Sequence, residues 1–126
     1  MKEIKFRALK DDMSNCTFVY GQLVYDDDDI PRITVVDFLR KRLTFYTCIK
    51  NTESQSVGIF DVNGKEYFFD DIVEIDGSYG VLVWMDDRLG IGSGEPNSYH
   101  AIDSITQKEL ENSTIVGNIH ENINKL

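Results

Sequence analysis

The amino-acid sequence predicts a small, mainly β protein built from short antiparallel strands, with at most one or two short helices. Several segments alternate apolar and polar residues, which is the pattern of a half-buried strand. Aromatic residues make up 11% of the chain, and their rings pack well on a pleated surface. Turn-forming residues recur at close spacing between these segments, as in small barrels and sandwiches. The 126 residues are enough for a single domain with its own hydrophobic core.

The first fifty residues contain the patterns of four strands, at residues 4–9, 17–25, 33–36 and 43–49. Gly21 lies inside the second segment and predicts a bulge or a tight bend. The four adjacent carboxylates at 26–29 repel one another and predict a turn in which they are solvated or neutralised. One helical turn, capped by Asp37, is predicted over residues 37–42. Both prolines are expected in loops.

The rest of the chain predicts five further strands, at residues 57–60, 67–69, 72–75, 81–84 and 114–119. Asn63-Gly64 is the strongest hairpin signal and predicts a type I′ turn, in which both central residues are left-handed. Asp76-Gly77 marks the next turn. Residues 90–98 hold three glycines and a proline and predict a loop or irregular edge. Residues 104–112 are the best candidate for a short helix.

Charge is distributed unevenly along the chain, whose net charge is −9. Residues 1–50 carry 9 basic and 8 acidic side chains, and residues 51–126 carry 4 basic and 14 acidic ones. An acidic surface repels phosphate, so duplex nucleic acid and anionic membranes are poor partners. Three uses of the acidic part stay open: binding a basic surface on another protein or a second copy, mimicking nucleic acid, or only keeping the domain soluble.

Nothing in the sequence predicts export or membrane insertion. No apolar run is long enough to cross a bilayer, and charges interrupt the N-terminus where a signal peptide needs an apolar stretch. Cys16 and Cys48 form no CxxC pair and fit two reduced thiols in a reducing compartment. We therefore expect a cytoplasmic protein.

Motifs for catalysis and cofactor binding fail on their spacing. The glycine cluster at 90–94 has Glu95 where a dinucleotide-binding loop needs its third glycine, and its serine is out of register for a nucleophile elbow. Ile59 stands where a calcium loop needs its first ligand. His100 and His120, together with the two cysteines, lack the local spacings of zinc sites. We therefore predict no catalytic, cofactor-binding or metal-binding residue and no enzymatic activity.

The remaining functional signal is aromatic and basic. The candidate interaction surface comprises Phe18, Tyr20, Tyr25, Trp84 and the cluster Arg40, Lys41, Arg42. Aromatic side chains on small barrels stack on bases or cradle peptides. They also build the cores of such barrels, which is their commoner role, and a solvated turn is the simpler interpretation of the basic cluster.

Four ordered motifs lie along the chain. Lys5-Phe6-Arg7 comes first, and residues 18–24 read Phe-Val-Tyr-Gly-Gln-Leu-Val. The longest motif contains Gln55, Gly58, Ile59, Asp61, Asn63, Gly64, Lys65, Glu66, Asp71, Ile72 and Val73. The last is Gly117-Asn118-Ile119-His120-Glu121-Asn122. In this order and over nearly the whole chain they resemble the YopX-like proteins of bacteriophages and prophages. Two positions depart from that pattern: Val57 stands in place of threonine, and Asp70 in place of glycine.

The resemblance implies a single YopX-like domain with an N-terminal β subdomain at about 1–50 and an SH3-like barrel from about 57 to 126. It also implies a phage or prophage protein in the bacterial cytoplasm and a tendency to form homo-oligomers. It brings no activity and no cofactor. The motif residues have structural interpretations: Asn63-Gly64 as a hairpin turn, Asp71 as an acceptor for turn amides, and Gly117 as a bend. Asp70 predicts a turn built differently from that of its relatives.

These observations predict a non-enzymatic phage accessory protein that binds another macromolecule or assembles with itself. The main hypothesis is a protein–protein interaction in which the acidic part of the chain meets a basic surface. The alternatives are nucleic-acid binding through barrel aromatics and the cluster Arg40, Lys41, Arg42, and an acidic mimic of DNA. An enzyme with an unrecognised carboxylate site ranks last.

Overall fold

A computed structural model describes residues 5–11, 17–85, 88–93 and 100–120, with backbone only at 85 and 100–102. The described residues form two antiparallel sheets and one short helix, so the prediction of a mainly β protein is confirmed. The chain divides into two compact units, Met1–Ser56 and Val57–Leu126. We call them the first and the second unit.

The first unit is a sheet of consecutive antiparallel strands. Its strands are β1 (Phe6–Leu9), β2 (Phe18–Tyr25), β3 (Pro31–Asp37), β4 (Arg42–Thr47) and the first residues of β5 (Ser54–Phe60). They lie in the order β4-β3-β2-β1-β5. A single bridge between Lys10 and Cys48 also joins the residues that follow β1 and β4.

One face of this sheet carries the core of the first unit. Ala8, Ile33 and Cys48 are buried at its centre. Half-buried apolar side chains pack around them: Phe6, Val19, Leu23, Val35 and Tyr46. Since successive strand residues point to opposite faces, the residues between these positions belong to the other face of the sheet.

Gly21 produces a close approach of two strands and not a bulge. Its neighbours in β2 pair in regular register with β1 and then with β3. A Cβ atom at this position would collide with the carbonyl oxygen of Thr34. The prediction that Pro31 lies in a loop is wrong, because Pro31 is the buried first residue of β3. The first position of a strand tolerates a residue without an N–H. Pro96 lies outside the described residues.

Two aspartates shape the turns around β3. Asp26 accepts hydrogen bonds from the amides of Asp28 and Ile30 and pairs with Arg32 at 3.3 Å. The Ile30 amide is the main cause of the lowered pKa of Asp26. The predicted helical turn at 37–42 is wrong, because the segment is the turn of a β3–β4 hairpin.

That hairpin turn still uses Asp37 as its cap. The Asp37 carboxylate accepts hydrogen bonds from the amides of Leu39, at 3.1 Å, and Arg40, at 3.2 Å. Lys41 has a φ of 52°. This left-handed residue turns the chain back into β4 where a helix would have continued.

The second unit contains the last residues of β5 and seven further elements. These are β6 (Glu66–Phe68), β7 (Asp71–Ile75), β8 (Ser78–Met85), β9 (Arg88–Ser93), β10 (His100–Ser104), α1 (Gln107–Glu111) and β11 (Thr114–Asn118). Five strands form a sheet in the order β10-β9-β8-β7-β11. Within the described residues this sheet stays open, so the SH3-like barrel implied by the family resemblance is not confirmed.

Apolar side chains from both the strands and the helix build the core of the second unit. Its buried members are Ile59, Tyr67, Val73, Leu82, Ile105 and Leu110. The helix is shorter than predicted, because residues 100–104 form β10 and Thr106 is the N-cap. Thr106 and Glu109 form a capping box, which satisfies two amides at the start of the helix.

Of the two turns predicted at Asp76-Gly77 and Asn63-Gly64, only the first has the backbone of a type I′ turn. Asp76 and Gly77 have φ values of 50° and 83°, the left-handed pair that a type I′ turn needs. At Asn63-Gly64 only the glycine is left-handed, with a φ of 82°, so the type I′ prediction is wrong there. The Asp61 carboxylate holds a longer turn instead, since it accepts hydrogen bonds from the amides of Asn63 and Lys65.

The glycines of residues 90–93 lie in a strand and not in the predicted loop. Gly90 in β9 pairs with Val83 on one side and Ser104 on the other. Glycine also appears opposite β9, where a Cβ atom at Gly80 would collide with Ile91. Small residues here allow neighbouring strands to pack closely, which a composition-based loop prediction misses. Residues 94–98 lie outside the described residues.

Candidate interaction surface

The second face of the first-unit sheet exposes apolar side chains on three strands. Tyr20 in β2 is 45% exposed, and Val36 in β3 is 49% exposed. Leu43 and Phe45 in β4 are 52% and 55% exposed. The register pairs Val36 with Leu43, and alternation places Phe45 on the same face. These residues therefore share one surface, opposite the core of Ala8, Ile33 and Cys48.

The turn of the β3–β4 hairpin extends this surface. Phe38 is 85% exposed and Leu39 is 96% exposed. We call the six apolar residues of this region the hairpin patch: Tyr20, Val36, Phe38, Leu39, Leu43 and Phe45. Single exposed apolar residues are ordinary on a protein, but a cluster of them is typical of a binding site.

Three cations border the hairpin patch. Arg40, Lys41 and Arg42 are all exposed, and Arg40 lies 3.8 Å from the Asp37 carboxylate. Because that pair is exposed, it contributes little to stability. This cluster was predicted from the sequence as part of the candidate interaction surface, and it lies beside the apolar turn residues.

Sequence reasoning missed five of the six residues of the patch. In residues 43–49 the odd positions include Leu43 and Phe45, and the even positions include Tyr46 and Cys48. Both faces of the strand therefore carry apolar side chains, and the pattern does not tell which face is buried. Phe38 and Leu39 interrupt a polar turn, and this was the one available signal.

Phe18 and Tyr20 lie close together beside basic side chains. Their ring centroids are 6.4 Å apart. The Arg7 guanidinium lies 4.5 Å from the Phe18 ring centroid, and the Lys5 ammonium lies 5.6 Å from that of Tyr20. Arg7 is only 6% exposed, so its guanidinium is committed to the interior. Of these aromatics, Tyr20 is the one that extends the hairpin patch.

Tyr25 belongs to the opposite face and has a different role. It pairs with Pro31 across β2 and β3, and its hydroxyl donates a hydrogen bond of 2.8 Å to the Glu53 carboxylate. Partial burial is the main cause of its raised pKa, followed by the bond to Glu53.

Trp84 lies in the second unit, where it packs edge-on against Phe69. The two ring centroids are 6.2 Å apart with an angle of 88° between the planes. The indole is still 59% exposed. Trp84 is therefore assigned to the second unit and is not part of the hairpin patch.

The motif residues of the second unit support its turns. Asp71 is buried and accepts a hydrogen bond of 2.8 Å from the Phe68 amide, as its predicted role required. Gly58 has a φ of 73°, which only glycine adopts easily inside a strand. The register of β11 shifts between Ile115 and Gly117. Asn118 accepts a hydrogen bond from the His120 amide.

Asp70 keeps a glycine-like backbone. Its φ is 74°, so the expectation that this turn is built differently is wrong. The backbone holds the conformation in place: the Asp70 amide donates to the Leu82 carbonyl, and the Asp70 carbonyl accepts from Ile119. The side chain lies 3.3 Å from His120 Nε2.

Buried polar groups surround Tyr67 in the second unit. The Tyr67 hydroxyl donates a hydrogen bond of 2.6 Å to the Leu110 carbonyl. Burial, with the nearby carboxylates of Asp61 and Asp71, raises the pKa of Tyr67 to about 12. Each of these groups bonds to the backbone, so the cluster holds the fold in place.

Within the described part of the chain, His, Cys, Asp and Glu side chains form no group of three that could hold a metal ion. Cys16, Asp86, Asp87 and the His100 side chain lie outside that part. Cys48 is a buried free thiol whose pKa is raised by burial. No described helix has the length and apolar character required to cross a membrane.

Comparison with known proteins agrees with the four sequence motifs. No curated protein matches the chain. A family model described as YopX protein matches residues 5–126, which covers both units and all four motifs. The chain therefore belongs to the YopX family.

Proposed function

We propose that this protein is a non-enzymatic protein-binding module whose contact surface is the hairpin patch. The observation that carries the proposal is the exposure of Phe38 and Leu39, at 85% and 96%, beside the half-exposed Leu43 and Phe45. Covering these side chains with a partner would contribute about 25 cal/mol of binding free energy for each Å² of apolar surface removed from water. A protein surface with complementary apolar residues is the kind of partner that would bury these side chains.

The composition of the patch favours protein over nucleic acid. Three of its six members are aliphatic, and aliphatic side chains offer no stacking surface for bases. The first unit carries 9 basic and 9 acidic residues over positions 1–56, so its net charge is zero. The cluster Arg40, Lys41, Arg42 is then a local cationic rim that selects a partner with acidic or aromatic groups around an apolar centre.

Membership of the YopX family supports placing this activity in a phage or prophage accessory protein that acts in the bacterial cytoplasm. The buried thiol of Cys48 fits a reducing compartment. The acidic second unit, with 4 basic and 13 acidic residues over positions 57–126, supplies the charge that keeps such a protein soluble.

Site-specific photocrosslinking in lysogenic cells tests the proposal. A photoreactive phenylalanine analogue replaces Phe38 in one variant and Tyr79 in a matched control, because Tyr79 is an exposed aromatic of the second unit, at 57% exposure. We expect discrete protein adducts from position 38 that survive nuclease treatment, and at most weak adducts from position 79.

The outcome separates the candidate functions. Adducts at position 38 that disappear with nuclease would favour nucleic-acid binding. Adducts confined to position 79 would move the binding surface to the acidic unit, as the charge distribution alone predicts.

A further inference from the structure

The hairpin patch spans the width of three neighbouring strands. Val36 in β3 pairs with Leu43 in β4. The register of β2 with β3, which pairs Gln22 with Thr34, brings Tyr20 beside Val36 when it is continued by two residues. Neighbouring strands lie about 4.8 Å apart, so the row from Tyr20 to Leu43 is about 10 Å wide. This width matches the diameter of one α-helix with its side chains and exceeds that of a single strand.

The patch is also long enough for about two to three helical turns. Phe45 in β4 pairs with Thr34 in β3, and Phe38 lies four residues beyond Thr34 in the hairpin turn. At about 3.3 Å per residue, the patch therefore extends about 13 Å along the strands. An α-helix rises about 5.4 Å per turn, so an apolar stripe at positions i, i+3, i+4 and i+7 covers this length.

The cations of the patch lie at one end of it. Arg40, Lys41 and Arg42 occupy the hairpin turn and the start of β4, whereas residues 43–47 carry no charge. Asp37 forms an ion pair with Arg40. Among the described residues, Lys41 and Arg42 have no ion-pair partner. The surface therefore combines an apolar face with a positive end that its own sheet does not neutralise.

We infer that the hairpin patch binds an amphipathic α-helix of another protein, which lies along β4 with acidic residues of its last turn over Lys41 and Arg42. The inference rests on the proposed function and names the kind of partner. The C-terminal end of a helix carries a partial negative charge, so this orientation places the helix dipole and the acidic side chains against the same cations. An acidic last turn is unfavourable within the free helix, and the cations offset this effect on binding.

Other occupants match the patch less well. A single added strand would cover only about half of the row from Tyr20 to Leu43. A nucleic-acid strand stacks its bases on aromatic rings, and Val36, Leu39 and Leu43 offer none. An anionic membrane repels a chain whose net charge is −9. A helix with an apolar stripe and an acidic end is complementary to the patch in width, length and charge.

Defined peptides test the inference with the intact chain. The first probe is a fluorescent, stapled helix of about 14 residues, or about 21 Å, with leucine at i, i+3, i+4 and i+7 and glutamate in its last turn. The second probe has lysine in place of each glutamate, and the third has serine in place of each leucine. Fluorescence anisotropy should show that the first probe binds at least about tenfold more tightly than the other two.

A matched pair of variants assigns the apolar contact to the hairpin patch. Phe38→Ser should weaken binding of the first probe at least about tenfold, because an exposed aromatic at the centre of a contact contributes strongly to affinity. Val62→Ser is the control, since Val62 is an exposed apolar residue of the second unit, at 59% exposure, and it should leave the affinity unchanged.

A second pair of variants tests the charge contact. Lys41→Glu combined with Arg42→Glu should lose the first probe and gain the second, because the reversed end of the patch then attracts lysine and repels glutamate. Lys65→Glu combined with Lys108→Glu is the control. It changes the net charge equally at exposed positions of the second unit and should keep the preference for the first probe.

Three results would overturn the inference: no binding of the first probe at the highest soluble concentration, equal binding of the first and second probes, or indifference to Phe38→Ser. Binding of vesicles of phosphatidylserine and phosphatidylcholine in place of the first probe would assign the patch to a membrane and also overturn it. If the double glutamate variant does not fold, Lys41→Gln with Arg42→Gln decides, and it should weaken binding of the first probe without gaining the second. Failure of every probe, together with nuclease-resistant protein adducts at position 38, would refute the helix and keep the protein-binding function.

Discussion

The apolar side chains of the hairpin patch are between about half and almost fully exposed to solvent, whereas the six core residues of the second unit, Leu82 among them, are buried. The polar groups differ in the same way. Asp61 is 5% exposed and bonds three backbone amides, those of Asn63, Lys65 and Ile115. Asp37 and Arg40 meet at 3.8 Å in solvent. The side chains of the second unit therefore stabilise its own fold, whereas those of the hairpin patch remain accessible to a partner.

One leucine in each region shows the difference most clearly. Leu82 is 0% exposed and Leu39 is 96% exposed. Leu82→Ala should lower the free energy of unfolding by about 3 kcal/mol, because it leaves a cavity in the core. Leu39→Ala should change it by less than about 0.5 kcal/mol. Urea unfolding followed by circular dichroism measures both free energies, and similar losses in the two variants would contradict the difference in burial between the two regions.

A second prediction concerns the buried carboxylate that organises the turn after β5. Asp61→Ala should cost about 2 kcal/mol, because it leaves buried amides without an acceptor. Asp103→Ala is the matched control, since Asp103 is exposed. Fluorescence of Trp84, the one tryptophan of the chain, reports unfolding of this unit. An Asp61→Ala variant as stable as the control would show that the turn holds without its cap.

The third prediction is a pH dependence centred on Tyr67. Its folded pKa is raised from 10.0 to about 12, so folding favours the protonated hydroxyl. This contribution is complete below pH 10 and is lost as the pH rises toward 12, because the unfolded chain then loses the proton first. Tyr67→Phe should cost about 1 kcal/mol at neutral pH, and its stability should fall less steeply than that of the wild type between pH 10 and 12. Parallel slopes in urea titrations would contradict this.

The smallest expected effect is at the start of α1. Thr106→Ala removes the hydroxyl that accepts from the Glu109 amide at 3.2 Å. The loss should be between about 0.5 and 1 kcal/mol, since the cap is exposed. Gln107→Ala is the control, because Gln107 is the first residue of α1 and alanine has a high helix propensity. Thermal unfolding of the two variants separates the cap from general helix propensity.

The same contrast explains what the sequence could predict. Segments such as residues 33–36 and 72–75 became strands because β-branched side chains fit a pleated, half-buried surface. Asp76-Gly77 formed its turn because left-handed backbone strongly favours these residues. Five of the six residues of the hairpin patch were not predicted, since Leu43 and Tyr46 are both apolar and lie on opposite faces. Which face is buried depends on the neighbouring strands.

Long-range contacts account for the other errors. Asn63-Gly64 has the composition of a type I′ turn, but the Asp61 carboxylate, which also bonds Ile115, sets a different loop. The glycines at 90 and 92 suggested a loop, but they lie in β9, which pairs with β8 on one side and with β10 on the other. Asp70 takes a glycine-like φ because bonds to Leu82 and Ile119 hold it there, at a cost of about 1 kcal/mol.

The type I′ turn at Asp76-Gly77 has a consequence for the order of folding. It joins β7 and β8, whose pairing of Glu74 with Tyr79 closes a very short loop. The pairing of β7 with β11 brings together residues far apart in the chain, such as Val73 and Ile115. Because closing a longer loop costs more entropy before contacts repay it, we expect the β7–β8 hairpin to form early. The sheet of the second unit then grows outward from this hairpin, and β11 docks late.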